Sequence, residues 1–302
     1  MGRRVSVLDA PSNLGLRPSQ EGREPGVRRM AAALRARGLV SRLGAASAGE
    51  VTPPSYAPAL DPITRVRSAG TIRDYSHALA GRLGGLLDAA PLPLVLGGDC
   101  SILLGAMLAL RRRGRYGLVF VDGHTDFGLP DTSLTGGAAG MDLALVTGRG
   151  PAILADLDGL GPLVRDEDVV VLGHRDVTDP DRYWGRAIFD TEIRRLDLPT
   201  LRRVGMDQAA RESLAFLDHH RLDGFWVHVD VDVLDSELMP AVDSPQPDGL
   251  TYTELRQLLE PFVGSARLAG VQFTIFDPDL DPSGRYAGEL VGAIVDLLGG
   301  GA

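Results

Sequence analysis

Short apolar runs without polar–apolar alternation recur along the chain, and longer amphipathic segments separate them. A strand of this kind is covered on both faces, as in a parallel sheet packed between helices. The pattern therefore predicts an α/β fold with three layers, α/β/α, around a central and mainly parallel sheet. The predicted strands are residues 5–9, 92–96, 116–121, 168–172, 224–230 and 267–273.

Helical patterns lie between these runs, and the predicted helices are residues 26–37, 72–89, 101–113, 206–219, 251–263 and 286–298. Thr251 stands three residues before Glu254, which is the pattern of a capping box. Residues 45–63 and 127–140 contain many Pro, Gly, Ser and Ala residues and are predicted to be loops. Without internal repeats or linkers, we expect residues 1–302 to form a single domain.

The composition excludes several classes of protein. All 31 basic side chains are arginine, which excludes a Schiff-base lysine and a P-loop lysine. A net charge of -9 argues against nucleic-acid binding. The single cysteine cannot form an internal disulfide, and no apolar run reaches the roughly 18 residues of a membrane span. We therefore expect a cytoplasmic protein without membrane contact.

Three predicted strands end in residue types that bind metals. Cys100 follows the second strand, the spacing D-x-H-x-D follows the third, and D-x-D ends the fifth. Side chains two apart in extended chain share a face, and parallel strands end at one edge of a sheet. Four converging carboxylates require a cation, and oxygen-rich ligation with one nitrogen suits two manganese-type ions. The ligand candidates are Cys100, Asp122, His124, Asp126, Asp230 and Asp232.

Each cluster taken alone has a simpler interpretation. A D-x-D pair after a strand is often loop polarity, a Gly-Gly-Asp sequence is usually a turn, and a single histidine usually makes a structural hydrogen bond. The coincidence of all three clusters at the ends of apolar strands favours the metal site.

The motifs G-G-D-C-S at residues 97–101, D-G-H-T-D at 122–126 and D-V-D-V-L-D at 230–235 resemble those of the arginase/agmatinase (ureohydrolase) family. That family carries G-G-D-H-S, D-A-H-x-D and D-V-D-x-L-D-P in the same order. The resemblance extends over nearly the whole chain. It implies two Mn²⁺ ions, hydrolysis of a guanidino or amidine carbon, a small-molecule substrate, and a homo-oligomer, either a trimer or a hexamer.

Carried over by motif, Cys100, Asp122, Asp126 and Asp230 would hold one ion. His124 would hold the other, together with Asp122, Asp230 and Asp232. Asp126 is also the candidate catalytic base. Cys100 stands where the family has histidine, and a softer thiolate makes Zn²⁺, Fe²⁺ or Co²⁺ possible. The alternative is that Cys100 is a small buried thiol without a ligand role.

The residues expected around the substrate depart from the family pattern. The family's H-G-M-P-L segment begins with Ala139, so its proton-shuttle histidine is missing, and His174 is a candidate replacement. The family's E-V-x-P segment begins with Ile275 instead of glutamate. The candidate substrate-binding residues are Thr178, Thr274, Ile275 and Asp277. His228 lies two residues before Asp230 on the same strand face and is a candidate for supporting the ligands.

Loss of a bidentate carboxylate removes the main source of guanidinium selectivity, which disfavours an arginase proper. The predicted function is hydrolysis of a C–N bond in a small guanidino-, hydroxyguanidino-, ureido- or amide-type substrate. The alternative is a catalytically inactive metal-binding relative with a structural or regulatory role. A third hypothesis is an amide hydrolase resembling deacetylases of related fold.

Overall fold

A computed structural model of the chain describes residues 4–18, 22–89, 91–177 and 184–299. Eight parallel strands form one sheet in the order β2-β1-β3-β8-β7-β4-β5-β6. The strands are β1 (Val5–Asp9), β2 (Ala46–Glu50), β3 (Leu92–Leu96), β4 (Tyr116–Val121), β5 (Val169–Leu172), β6 (Arg194–Leu196), β7 (Gly224–Asp230) and β8 (Leu268–Thr274).

Helices cover both faces of the sheet, so the six inner strands are almost entirely buried. The helices are α1 (Met30–Ala36), α2 (Leu39–Leu43), α3 (Ala69–Leu87), α4 (Leu103–Arg111), α5 (Asp142–Val146), α6 (Ala152–Ala155), α7 (Leu198–Val204), α8 (Met206–Asp218), α9 (Tyr252–Gly264) and α10 (Arg285–Leu298). One hydrophobic core lies between the sheet and α1, α2 and α7–α10, and a second lies between the sheet and α3–α6. The predicted three-layer α/β/α fold is confirmed.

The two outermost strands were missing from the sequence prediction. The prediction of residues 45–63 as a loop is wrong at its start, because β2 pairs there with β1. Strand β6 pairs with β5 at the opposite edge. Neither edge strand is fully buried, so neither needs an apolar run, and backbone pairing with the neighbouring strand defines it.

Several predicted helices begin with a tighter turn. The predicted helix 26–37 starts as a 3₁₀ segment at Gly26–Arg29, and another 3₁₀ segment, Cys100–Ile102, precedes α4. The predicted loop 127–140 ends in a 3₁₀ turn at Ala138–Met141, which leads into α5.

The middle of the sheet brings the predicted ligands together. Strands β3, β8, β7 and β4 are consecutive neighbours, and Asp230 at the end of β7 is in register with Thr274 on β8. Their carboxyl ends form one edge, the usual place for ligands in such sheets. Among the described residues, no helix is both long and apolar enough to cross a membrane.

Candidate metal centre

The loop after β3 is held so that Cys100 points into the sheet edge. Gly98 lies against the backbone of Ser12, where a Cβ atom would collide with the Ser12 carbonyl oxygen. Asp99 accepts hydrogen bonds from Ser101 N (2.9 Å) and Ser12 Oγ (2.7 Å). Asp99 is therefore a structural cap for the turn that carries the fully buried Cys100.

The loops after β4 and β7 interlock through their carboxylates. His124 N donates to Asp122 Oδ1 (2.6 Å), and Asp232 N donates to Asp230 Oδ1 (2.8 Å). The two loops meet where His124 Nδ1 lies 2.9 Å from Asp232 Oδ2. Asp126 adopts φ +43, a left-handed conformation that is uncommon outside glycine. The D-x-H-x-D spacing is thus realised by a tight turn rather than by extended chain.

The ligand atoms form two overlapping groups. Donor atoms of Cys100, Asp122, Asp126 and Asp230 lie within 4.8 Å of one another, and so do those of Asp122, His124 and Asp232. Cys100 Sγ lies 2.8 Å from Asp230 Oδ2. Asp122 Oδ2 is buried without a hydrogen-bond partner among the described residues. A buried carboxylate oxygen left in this state is costly without a cation, so the residues fit a divalent metal centre.

The electrostatics of the cluster support the same conclusion. Burial raises the pKa of Asp122 to about 7, and the charge of Asp232 adds to the effect. Burial and neighbouring carboxylates also raise the pKa of Asp126 and of Asp230. Burial raises the pKa of the Cys100 thiol, with Asp230 as the next cause. Without a cation, these groups therefore favour their neutral forms. A bound cation would favour the ionised forms instead.

Arg175 holds the loop that carries Asp232 in place through hydrogen bonds to its backbone. Its guanidinium donates to the carbonyl oxygens of Asp232 (2.9 Å), Leu234 (3.2 Å) and Gln246 (3.0 Å). It also donates to Val233 and Pro247. Burial lowers the pKa of Arg175. The charges of nearby acidic groups, Asp232 first, raise this pKa by a smaller amount.

A cavity of about 520 Å³ opens over the ligands. His124, Asp126, Asp230 and Asp232 form part of its wall, and Ile275 lies beside them. The remaining wall is mixed in character. It includes Leu16, Arg17, Arg23, Glu24, Ala139, Trp184, Val242, Asp243 and Asp277. The volume suits a small molecule.

The predicted substrate-binding residues occupy different places. Ile275 is in the cavity wall and adopts φ +76, a strained conformation for a β-branched residue. Asp277 also lines the cavity, and its carboxylate accepts hydrogen bonds from Gly26 N and Asp279 N. Thr274 is fully buried, with its hydroxyl 3.0 Å from Cys100 Sγ. Thr178 lies outside the described residues.

His174, the candidate for the missing proton shuttle, is nearly buried and is not among the residues lining this cavity. Its Nδ1 lies 3.9 Å from Asp176 Oδ1. Burial lowers the pKa of His174. Its catalytic role stays a prediction that this position does not support. Ala139 lies in the cavity wall, at the place where the family's histidine would stand.

Two carboxylates near the centre had no predicted role. Asp142 is fully buried, and neither of its oxygens has a hydrogen-bond partner among the described residues. Burial, followed by the charge of Asp122, raises its pKa. Asp243 lies in the cavity wall with an exposed side chain. The sequence offered one signal for Asp142, which replaces the proline of the family's segment. It offered none for Asp243, which lies in a loop without a periodic pattern.

Comparison with known proteins agrees with this geometry. A family model described as the Arginase family matches residues 5–298. The arginase of Staphylococcus aureus (strain COL) is 26% identical over 303 residues, covering 98% of this chain and 97% of the relative. The arginase of Bacillus caldovelox is 29% identical over 237 residues, 78% of each chain. The solved structure of the Bacillus caldovelox arginase superposes with a TM-score of 0.87 at 26% identity, covering 99% of both chains. With ligand motifs, fold and family model in agreement, the chain belongs to the arginase family.

Proposed function

We propose that the chain is a binuclear-metal-dependent hydrolase that cleaves a C–N bond in a small substrate other than arginine. Membership of the arginase family makes it a hydrolase of carbon–nitrogen bonds outside peptides. The observation that carries the proposal is the convergence of a thiol and three carboxylates within 4.8 Å below the cavity.

The assignment of residues to the two ions combines the two groups of ligand atoms with the family pattern. Cys100, Asp122, Asp126 and Asp230 would hold one ion, and His124 and Asp232 would hold the other with Asp122, the carboxylate common to both groups. The family resemblance adds Asp230 to the second ion. Bound divalent ions supply Lewis acidity, which lowers the pKa of water and polarises the substrate. Family resemblance favours Mn²⁺, and the Cys100 thiolate makes Zn²⁺, Fe²⁺ or Co²⁺ possible.

Asp126 is the residue best placed to move a proton. It lies in the cavity wall and belongs to the first ligand group. As a carboxylate in the cavity wall, it would accept a proton from water and then release it to the leaving nitrogen. With Ala139 in the wall, the cavity residues offer no histidine at the family's shuttle position.

The cavity wall supports a substrate different from arginine. Ile275 places an apolar side chain where the family's glutamate would pair with a guanidinium. Asp243 offers a carboxylate from another loop, and it makes no ion pair within the described part of the chain. Arg17 and Arg23 also line the cavity and favour an anionic group at the far end of the substrate. The candidates remain guanidino, hydroxyguanidino, ureido and amide compounds.

The test is a turnover screen of protein loaded with Mn²⁺ or Co²⁺. Guanidines, hydroxyguanidines, ureas and amides are assayed for release of urea, ammonia or amine, with L-arginine in the same panel. We expect turnover of at least one compound other than arginine. Fewer than one bound divalent ion per chain after metal loading would contradict the binuclear centre, and a preference for arginine would contradict the substrate assignment.

Asp243→Asn tests which wall residue selects the substrate. It should weaken the binding of a cationic substrate, relative to that of a neutral one, by roughly tenfold or more. This is the effect of losing one charge-assisted hydrogen bond. Glu24→Gln removes the same charge from the same cavity, but Glu24 already pairs with Arg28 (3.1 Å), so it should change this ratio little. If both variants changed this ratio equally, the selectivity would come from the overall charge of the cavity and not from Asp243 itself.

Ala139 favours one second candidate, a metal-binding relative without activity, because the family's proton shuttle is absent there. Two bound ions with no turnover of any compound in the panel would support this alternative.

Assembly into a trimer or hexamer remains part of the proposal and is checked by the mass of the particle in solution.

A further inference from the structure

A layer of three side chains lies directly beneath the candidate metal centre. Phe120 on β4, His228 on β7 and Gln272 on β8 are register neighbours, and all three are fully buried. Asp230 and Thr274 lie two residues further along β7 and β8, so their side chains share the same face of the sheet. The imidazole of His228 therefore forms part of the floor below the ligands.

A buried indole fixes the orientation of the Gln272 amide. Trp226 Nε1 donates a hydrogen bond to Gln272 Oε1 at 2.9 Å. Indole is only a donor, so the amide oxygen must face Trp226 and the amide nitrogen must face His228. Gly270, in register with Trp226, leaves room for the indole ring, since a Cβ atom there would collide with it.

The amide in turn fixes the protonation of the histidine. Gln272 Nε2 lies 2.7 Å from His228 Nδ1 and donates to it. Nδ1 is therefore an acceptor, and in a neutral imidazole the other nitrogen carries the hydrogen. The ring of His228 is stacked on Phe120 at 4.6 Å and 15°, which restricts its rotation. Nε2 thus presents an N–H group in a fixed direction.

That N–H group has no partner among the residues that the structure describes, and Asp122 Oδ2 is a buried acceptor in the same state. A ring nitrogen of His228, Cys100 Sγ and a carboxylate oxygen of Asp122 lie within 4.8 Å of one another. Because Gln272 occupies Nδ1, Nε2 is the nitrogen that remains to interact with these two ligands.

We propose that His228 is a positioning residue whose Nε2–H, without a partner among the described residues, donates a hydrogen bond to Cys100 or Asp122 once an ion is bound, with Trp226 and Gln272 fixing the required tautomer. The inference rests on the proposed function for the presence of the ion but uses no step of hydrolysis. A hydrogen-bond donor beside a thiolate stabilises its negative charge. Direct ligation by Nε2 would require the opposite tautomer, which sets Nδ1–H against the amide nitrogen of Gln272.

The experiment measures cobalt binding by wild type and His228→Leu, using the sulfur-to-cobalt charge-transfer band, the number of ions per chain and competition with a chelator. We expect His228→Leu to keep two ions per chain and to bind cobalt roughly 10–100-fold more weakly. The band should move to lower energy because the sulfur loses a hydrogen bond. His228→Gln, which keeps an N–H donor, should restore much of the band position.

Gln272→Met keeps the imidazole and its stack on Phe120 but removes the fixed tautomer. It should move the band in the same direction as His228→Leu, and it provides a second test if His228→Leu does not fold. Cys100→Ser should abolish the band, which identifies its origin.

Loss of one cobalt ion in His228→Leu would show that the imidazole is itself a ligand and would overturn the proposal. An unchanged band and affinity in both His228→Leu and Gln272→Met would also overturn it. Wild-type protein that binds cobalt but hydrolyses nothing contradicts the proposed function alone, because none of these measurements uses turnover.

Discussion

Cys100 is the residue at which the chain departs most directly from the metal chemistry of its family. Its sulfur contacts Asp230 Oδ2 (2.8 Å) and Thr274 Oγ1 (3.0 Å) in a fully buried position. Burial raises the pKa of this thiol, so without a cation it stays protonated. A divalent ion reverses this balance because it stabilises the thiolate directly.

Replacing the sulfur should change which metal is preferred. Cys100→His should keep two ions per chain and shift the relative affinity toward Mn²⁺ over Co²⁺ by roughly tenfold or more, because imidazole is a harder ligand than thiolate. Metal analysis and competition titrations measure this shift, with Cys100→Ser as the control for loss of the thiol. Unchanged content and selectivity in Cys100→His would show that the sulfur is not a ligand.

The sequence identified the six candidate ligands because each lies at a fixed spacing at or after the end of an apolar strand, and the structure places them in two overlapping groups. Their role as ligands stays a prediction. Asp142 and Asp243 follow no such spacing. Their proximity to the ligands depends on how 3₁₀ turns and loops fold back over the sheet edge. The hydrogen bonding of His228 depends on side chains from two neighbouring strands, which a single sequence does not pair.

At the scale of elements, the loops after β4, β5 and β7 act as one unit. Arg175, just after β5, donates to five carbonyl oxygens in the segment that follows β7. Gly123 belongs to this unit too, since a Cβ atom there would meet the guanidinium. The position of Asp232 is therefore set partly by an arginine outside the ligand motifs.

Arg175→Met should lower both stability and metal affinity. The carbonyl oxygens of three buried residues (Asp232, Val233 and Leu234) and of two more exposed ones lose their donor, which should cost about 2 kcal/mol in the free energy of unfolding. The loss of support for Asp232 should weaken metal binding by roughly tenfold or more. Urea unfolding and metal titration measure the two effects. Arg211→Met, which removes an exposed arginine paired with Asp207, should change neither by much.

The start of α9 is the element boundary that the sequence defined best. Thr251 Oγ1 accepts from Glu254 N (3.1 Å), and Glu254 Oε2 accepts from Thr251 N (2.9 Å), as the capping-box pattern predicted. Local hydrogen bonds such as these are encoded within four residues. The edge strands β2 and β6 are not, because their pairing partners are distant in sequence and neither strand is an apolar, fully buried run.

Thr251→Ala should destabilise the protein by about 1 kcal/mol, because the first turn of α9 loses its side-chain acceptor. Thr253→Ala, two positions away on the exposed side of the same helix, should stay within about 0.5 kcal/mol of wild type. Chemical denaturation of both variants gives the comparison. An equal loss of unfolding free energy in both variants would mean that the capping hydrogen bond itself contributes nothing to stability.

At the scale of the whole molecule, the ligand cluster opposes folding when no ion is bound. The pKa of Asp122 rises from 3.8 to about 7 in the folded chain through burial and Asp232. The folded state therefore holds a proton that the unfolded state releases. This contribution to stability is complete below about pH 4 and is lost as the pH rises through about 7.

Metal-free protein should accordingly lose stability between about pH 5 and 7.5, whereas metal-loaded protein should gain it, since protons compete with the ions for the same ligands. Thermal unfolding at several pH values, with and without chelator, measures the two slopes. Asp122→Asn should flatten the slope of the metal-free protein and abolish turnover of the loaded protein. A metal-free wild type that becomes more stable over this range would contradict the account.

The last strand of the chain, β8, lies in the middle of the sheet between β3 and β7. Until it inserts, the first three strands and the remaining four belong to separate halves, with Cys100 on one and Asp122 on the other. During synthesis, a nascent chain thus cannot bring Cys100 to the carboxylates of the other half before residues 268–274 leave the ribosome. Metal binding by the complete ligand set would therefore be a late event, and a bound ion would link the early and late parts of the polypeptide.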